Sequence, residues 1–389
     1  MRILALPGDP GGVAAWAPCL AVLADDSEFQ LDVRPRAVAA DVLDDFDIPN
    51  HSLDVALFNG DNDINVLALR LLDQTLPDLI LTGSCFEPGL ELIIARKGKE
   101  RGIPVISLLD SWTHYRRRYQ MFGESDLAVD QLPHVICVMD DFAQQEMVEE
   151  GFPEKCLRIV GHPGLDRFLN LQGRLDHNFR AKGRTDLGIG TDEKLIVFFS
   201  QPLKEMFGPP GSSTYRGYDE STVLKELLGA VNAISSEDGD DTICRVFVKP
   251  HPKEDPDNIR VATSGNIDLE VCFEDDLIKL IEVADVVVGM TSIVLVMSFL
   301  AGRPTVSIQP GLCVRDELML SRAGHLTPVT NSGDLVDILR RELTSPCTLT
   351  SSVDEVLKDG QSVARVIALC RNLLNGEISV DKISVTAKL

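Results

Sequence analysis

The chain has 389 residues and a formal net charge of −23. Hydrophobic residues at 44% and charged residues at 25% are the proportions of an ordinary globular protein, which excludes a disordered or fibrous chain. The length exceeds what one hydrophobic core usually serves, so two domains are expected. The acid excess argues against a general nucleic-acid binder, because phosphates would be repelled, but it leaves room for one local basic pocket.

The N-terminal apolar run at 3–6 is too short for a signal peptide and reads as a first strand. No stretch reaches the roughly 18–20 apolar residues of a membrane span. The longest, 286–301, is interrupted by Gly289, Thr291 and Ser292 and reads as a strand, a turn and a buried helix. The nine cysteines are scattered singly, with no C-x-x-C pair. They read as reduced, buried thiols of a cytoplasmic protein.

Short apolar runs alternate with helical periodicity along the rest of the chain. Strands are expected at 3–6, 29–33, 77–81, 103–109, 134–139 and 157–160. Helices are expected between them at 18–23, 64–72, 87–96 and 142–150. Buried strands alternating with amphipathic helices predict a parallel sheet covered on both faces. The stretch 166–193 is polar, mixed in charge and strandless, and is expected to be a linker. Alternation resumes with strands at 195–199, 244–248, 269–273, 285–288 and 305–308. Helices follow at 223–234, 277–283, 293–301, 335–343 and 363–374. The expected architecture is α/β, with two doubly wound Rossmann-like domains, 1–165 and 194–389, facing a cleft. A C-terminal helix closes back. The loop 206–221, with Gly208-Pro209-Pro210-Gly211, reads as mobile.

In open α/β sheets, ligands bind beyond the carboxyl ends of the strands. The residues that follow strands are therefore the candidates. Gly8-Asp9-Pro10-Gly11-Gly12 follows the first strand, and Gly11 and Gly12 let backbone amides approach an anion or a sugar. This run is neither the dinucleotide fingerprint nor a P-loop. Later strand ends in the first half carry Ser84 and Glu87, then Asp110 with Trp112, His114 and Arg116-Arg117-Arg118. A carboxylate there can take a proton from a hydroxyl. Aromatic rings stack on sugars, and arginines grip anions. Gly161-His162-Pro163-Gly164 reads as the exit from the first domain.

In the second half, Ser200 and Gln201 end the first strand and can contact a nucleotide. Lys249-Pro250-His251-Pro252 ends the next strand as a cationic corner suited to a departing phosphate. Lys249 supplies a point charge, and His251 a hydrogen bond or a proton. Glu274 can accept hydrogen bonds from a base or ribose. Met290-Thr291-Ser292 precedes an apolar helix whose first amides and hydroxyls form an anion site. The seven histidines show no metal-binding spacing, and there is no nucleophile elbow. No metal and no cofactor are expected, only a nucleotide-linked substrate.

The run Val248 to Pro252, then Glu274-Asp275, then Ala284 to Ser292 resembles the second half of the GT-B glycosyltransferase superfamily. The likeness covers about 194–310. It is to bacterial CDP-glycerol glycerophosphotransferases and sialyltransferases, and more loosely to UDP-N-acetylglucosamine 2-epimerases. The first half resembles these families in layout only. The resemblance implies donor binding by Lys249, His251, Glu274, Thr291 and Ser292, and the strand-end residues Ser200, Gln201 and Met290 are read as donor contacts beside them. A first-half acid, Asp110 with Glu87 and Asp9 behind it, would deprotonate an acceptor held by Gly11, Gly12, Trp112, His114 and Arg116. His251 would stabilise the departing phosphate. The expected function is a metal-independent glycosyltransferase. It moves a sugar or polyol phosphate from a nucleotide donor to a glycan acceptor in surface polysaccharide synthesis. The alternative is a nucleotide-sugar epimerase or hydrolase. Many UDP-sugar users place a ribose-binding glutamate on the helix after the phosphate motif. Ile293-Val294-Leu295-Val296-Met297 carries no acid, which favours a cytidine donor over a uridine one. The expected location is cytoplasmic. Arg116–Arg118 leaves room for peripheral attachment to the inner face of the membrane, and a homodimer is compatible.

Overall fold

The computed structural model describes residues 1–44, 46–53, 61–86, 89–169, 177–236, 243–255, 268–274, 276–345, 357 and 359–377. The chain divides into two compact units: Met1–Arg167 together with Asp354–Leu389, and Phe168–Val353.

The first unit is built on a six-stranded parallel sheet. Its strands are β1 (Arg2–Leu6), β2 (Gln30–Val33), β3 (Leu79–Thr82), β4 (Val105–Leu108), β5 (Val135–Val138) and β6 (Leu157–Ile159), in the order β2-β1-β3-β4-β5-β6. Ile3 pairs with Leu31 on one side and with Leu79 on the other. Strand order reverses between β1 and β3, which makes that point the topological switch. Strands β3, β4 and β5 are buried along their whole length, which is why they read as continuous apolar runs. Successive side chains go to opposite faces. Ile3, Leu79 and Leu81 join Trp16, Leu20 and Leu23, whereas Leu4, Leu6 and Ile80 join Leu71, Ile93 and Ile94.

The first helix spans Pro10–Asp25, beginning well before the expected 18–23. Asp9 is its N-cap, accepting from the Gly12 amide at 3.0 Å, and Pro10 takes the first turn, where a missing N–H costs nothing. The C-terminal helix Ser362–Leu374 places Val366, Ile367, Cys370 and Leu373 in the core that holds Trp16. Asp166 fastens its start, accepting from Ser362 Oγ at 2.6 Å and from the Val363 amide at 3.1 Å. The helix Ser362–Leu374 therefore packs in the first unit, not in the second domain as the 194–389 assignment had it. Its amphipathic face completes the first core rather than the second.

The second unit has a five-stranded parallel sheet: β7 (Glu193–Phe199), β8 (Ile243–Lys249), β9 (Asp268–Val271), β10 (Val286–Gly289) and β11 (Thr305–Ser307), in the order β11-β10-β7-β8-β9. Its switch point lies between β7 and β10. The expected linker 166–193 contains a helix, His177–Asp186, that is integral to this unit. Arg180 and Arg184 donate to the Asp285 carboxylate at 2.8 and 3.0 Å, and Asp285 also accepts from the Leu195 amide at 2.8 Å. The polarity that suggested a linker is a set of ion pairs.

The loop 206–221 is anchored rather than loose at its C-terminal end. Arg216 is 2% exposed and pairs with Glu317, and Tyr218 donates to Gln309 Oε1 at 3.0 Å. Asp219 caps the next helix, Glu220–Ser235, through the Thr222 amide. Eight cysteines are described, all as free thiols. Cys313 is exposed and the other seven are buried, and Cys347 lies outside the described residues. No helix among the described residues is long and apolar enough to cross a membrane.

Candidate functional site

In the first unit the carboxyl ends of β1, β3, β4 and β6 gather Asp9, Ser84, Asp110 and His162. Asp110 Oδ1 accepts from Ser84 Oγ at 2.9 Å and from Arg118 Nη1 at 2.7 Å. Arg118 also donates to the carbonyls of Ser84 and Thr113. His114 sits in the left-handed region at φ 58°, turning the chain so that the short helix Tyr115–Arg118 folds back on Asp110. The two paired side chains are 8% and 9% exposed. Burial and the neighbouring Asp110 carboxylate push the Asp9 carboxyl above its usual range, partly opposed by the Gly12 amide. A carboxyl raised in this way can hold or release a proton closer to neutrality than a free aspartate.

His162 joins this group, although its run reads as no more than a domain exit. Its ring stacks on Trp112 at 5.9 Å, and Nε2 lies 3.4 Å from the Asp110 carbonyl. Burial drives its pKa down, and Nδ1 has no hydrogen-bond partner among the described residues.

Several first-half candidates take other places. Trp112 is 3% exposed and donates to Asp140 Oδ2 at 2.7 Å, so its ring is core and no platform for a sugar. His114 meets Phe86 edge-on at 5.0 Å, and Arg117 lies 3.9 Å over the same ring. Of the three arginines expected to grip an anion, Arg118 is consumed by Asp110. Arg116 is half-exposed, 4.0 Å from Asp126. The Gly12 amide is spent on capping. Glu87 lies outside the described residues.

Gly11 has a role that its type does not announce. A Cβ there would come within 2.7 Å of Asp110 Oδ2, and Arg118 and Ser84 leave that carboxylate little room to give. Gly11→Ala is therefore expected to displace Asp110 and cut turnover by about 10²-fold, since small misplacements of reacting groups are costly. Helix content should be unchanged, because alanine is a good helix residue. Steady-state kinetics with circular dichroism checks both.

In the second unit the switch point is closed by Gln201, whose Oε1 accepts from the Thr291 amide at 2.9 Å. Ser292 caps the eight-residue helix Ile293–Leu300, accepting from the Val294 amide at 3.2 Å. Thr291 and Ser292 thus stand at a helix start, as expected. Met290 does not belong with them. Its side chain is fully buried in the core, and its carbonyl accepts from Ser307 Oγ at 2.7 Å. The strand alternation that carries β10 into the loop points Met290 inward.

Lys249 ends β8 and His251 follows. His251 Nδ1 accepts from the Lys253 amide at 3.2 Å. Burial, then the Lys253 charge, lowers the pKa of the ring. A neutral imidazole that accepts at Nδ1 carries its proton on Nε2. Ser200 Oγ donates to Glu254 Oε1 at 2.7 Å, and the His251 amide donates to Glu254 Oε2 at 2.7 Å. Burial raises the Glu254 carboxyl. Sequence reasoning passed over Glu254. Its signal was the short spacing His251-Pro252-Lys253-Glu254, which suits a carboxylate turning back to a backbone amide. A cavity of about 410 Å³ opens beside this corner, lined by Ser200, Lys204, Glu220, Lys253 and Glu254 among others. Glu274 accepts from the Asp276 amide at 3.2 Å and from Lys279 Nζ at 2.7 Å. Its carboxylate thus steadies the start of the helix Leu277–Val283, and a ribose would have to compete for it. Asp275 lies outside the described residues. Among the described residues no group of three acidic, histidine or cysteine side chains could hold a metal ion.

No protein-family model matches the sequence, and no curated protein shows significant similarity to it. Solved structures do match over nearly the whole chain. The UDP-GlcNAc 2-epimerase of Neisseria meningitidis bound to UDP-GlcNAc aligns with a TM-score of 0.66 at 12% identity, covering 96% of this chain and all of that one. The UDP-GlcNAc 2-epimerase of Methanocaldococcus jannaschii gives 0.66 at 12%, over 95% and 100%. The S. aureus MnaA–UDP structure gives 0.67 at 14%, over 96% and 97%. The fold is therefore the GT-B-like layout of two Rossmann-like units that these proteins have. The expected glycosyltransferase activity is overturned by this comparison. UDP-GlcNAc 2-epimerases recur among the matching structures, which favours the alternative reading.

Proposed function

We propose that this protein is an enzyme acting on a nucleotide-activated sugar alone, as an epimerase or hydrolase of the UDP-N-acetylglucosamine 2-epimerase type. The observation that carries the reading is the phosphate corner of the second unit. At one sheet's carboxyl edge it combines Lys249, a neutral His251 with its proton on Nε2, and the capped helix start at Ser292. Such a corner stabilises a nucleotide phosphate as the bond to the sugar breaks and the phosphate oxygen keeps the electron pair. The match to UDP-GlcNAc 2-epimerase structures over 95–96% of the chain supports the same chemistry. Neither epimerisation nor hydrolysis needs an acceptor pocket, since the reacting partner is the sugar's own C–H bond or water. Asp9, with its raised carboxyl, is assigned the proton transfer, and Arg118 and Ser84 keep Asp110 in place beside it.

The test is product analysis with UDP-GlcNAc and a panel of other UDP-, CDP- and CMP-sugars, each supplied without acceptor. An isomerised sugar nucleotide, or free nucleotide with altered sugar, is expected from at least one of them. A panel left intact sinks the reading. The panel also decides the base, which the missing acid at 293–297 leaves open between uridine and cytidine.

A further inference from the structure

We propose that Glu254 is a positioning residue of the phosphate corner. It ties the loop after β7 to the loop after β8, and so fixes which nitrogen of His251 presents a proton to the ligand. The inference rests on the nucleotide-binding reading only for the identity of that ligand.

Each oxygen of the Glu254 carboxylate holds a different loop: Oε1 takes the Ser200 hydroxyl and Oε2 the His251 amide, both at 2.7 Å. The Glu254 amide donates back to the His251 carbonyl at 2.8 Å, closing a tight turn. Inside that turn the Lys253 amide meets His251 Nδ1 at 3.2 Å. That contact assigns the proton to Nε2, because a protonated Nδ1 could not accept. Ser200 and His251 follow adjacent strands, paired from Glu193↔Ile243 to Phe199↔Lys249, so Glu254 locks two loops that the sheet already brings together. A carboxylate that only closed a turn would not need to reach the second loop. Its burial, which raises its carboxyl, is a cost that a surface turn residue would avoid.

The experiment is nitrogen-15 NMR of the histidines in the full chain, together with calorimetric titration of UDP. In the wild type the His251 ring should show a protonated Nε2 and an accepting Nδ1. Glu254→Ala should mix the two tautomers and weaken UDP binding about tenfold, the loss of one to two hydrogen bonds. Glu254→Gln should recover both readouts. Its amide oxygen can accept from the His251 amide, while its N–H donates to a rotated Ser200 hydroxyl. Ser200→Ala removes only one of the two ties and should shift the tautomer balance part-way, which serves if Glu254→Ala fails to fold. A Glu254→Ala protein with the wild-type tautomer and affinity would overturn the proposal. So would a Glu254→Gln protein as impaired as the alanine variant, because charge rather than positioning would then be at work. If the wild type does not bind UDP, the uridine-nucleotide reading fails while the tautomer signal still decides the role of Glu254.

Discussion

Replacing Arg118 by alanine is expected to lower the unfolding free energy of the first unit by about 3–5 kcal/mol, the usual cost of leaving a buried charge without its partner. Asp110 and Arg118 are 9% and 8% exposed. Water cannot take the place of the guanidinium, and the carbonyls of Ser84 and Thr113 lose their donor as well. The double variant Arg118→Met, Asp110→Asn should recover most of the loss, since removing both charges removes the desolvation problem. Urea unfolding followed by tryptophan fluorescence isolates the effect. Both tryptophans of the chain, Trp16 and Trp112, lie in the first unit, so the signal does not average over the second. A fall in midpoint with an unchanged m-value is the expected record. A loss below about 1 kcal/mol, the range of exposed pairs, would mean that the pair is not buried as described.

Asp9→Asn should move activity and stability in opposite directions. Turnover should drop by about 10²–10⁴-fold, as when a general acid or base is lost. Stability should rise at neutral pH, because the native site holds Asp9 where burial and Asp110 disfavour its charged form. The sign follows from linkage. The folded-state pKa is raised above the ordinary value of 3.8, so the native chain binds this proton more tightly than the unfolded one. That contribution is complete below the unfolded value and is lost as pH rises through the folded one. The advantage of the asparagine variant should therefore be absent near pH 3.5 and grow above it. Asparagine still caps the helix through the Gly12 amide, so no cap is lost. Melting temperatures across pH, with kinetics at neutral pH, check both halves. A variant of wild-type activity, or one less stable at neutral pH, would remove Asp9 from the proton-transfer role.

The two sheets were legible because parallel strands buried on both faces leave uninterrupted apolar runs, such as Val135–Val138 and Val286–Gly289. The first helix was legible only in its second half. Gly11, Gly12, Ala14 and Ala15 carry no periodic signal, and from sequence Asp9 reads equally as a turn residue or a helix cap. The helix His177–Asp186 was hidden because its arginines find Asp285 about a hundred residues away in the chain, a partner that no local window contains. The same holds for Arg118 and Asp110, and for Glu254 with Ser200. The residue types were visible at the strand ends, but the bonds that make them a site are set by strand order. The function misread has a related cause. Phosphate-holding residues report on the nucleotide and say nothing of what receives the sugar. Trp112, read as an acceptor contact, is buried against Asp140.

The central claim is that the substrate needs no acceptor. The most direct measurement is proton NMR of UDP-GlcNAc incubated with the protein alone in D₂O. The account predicts conversion without any added glycan, seen either as a new sugar nucleotide that has taken up solvent deuterium or as free nucleotide beside an altered sugar. A donor that stays intact alone but is consumed once a glycan acceptor is supplied would contradict it.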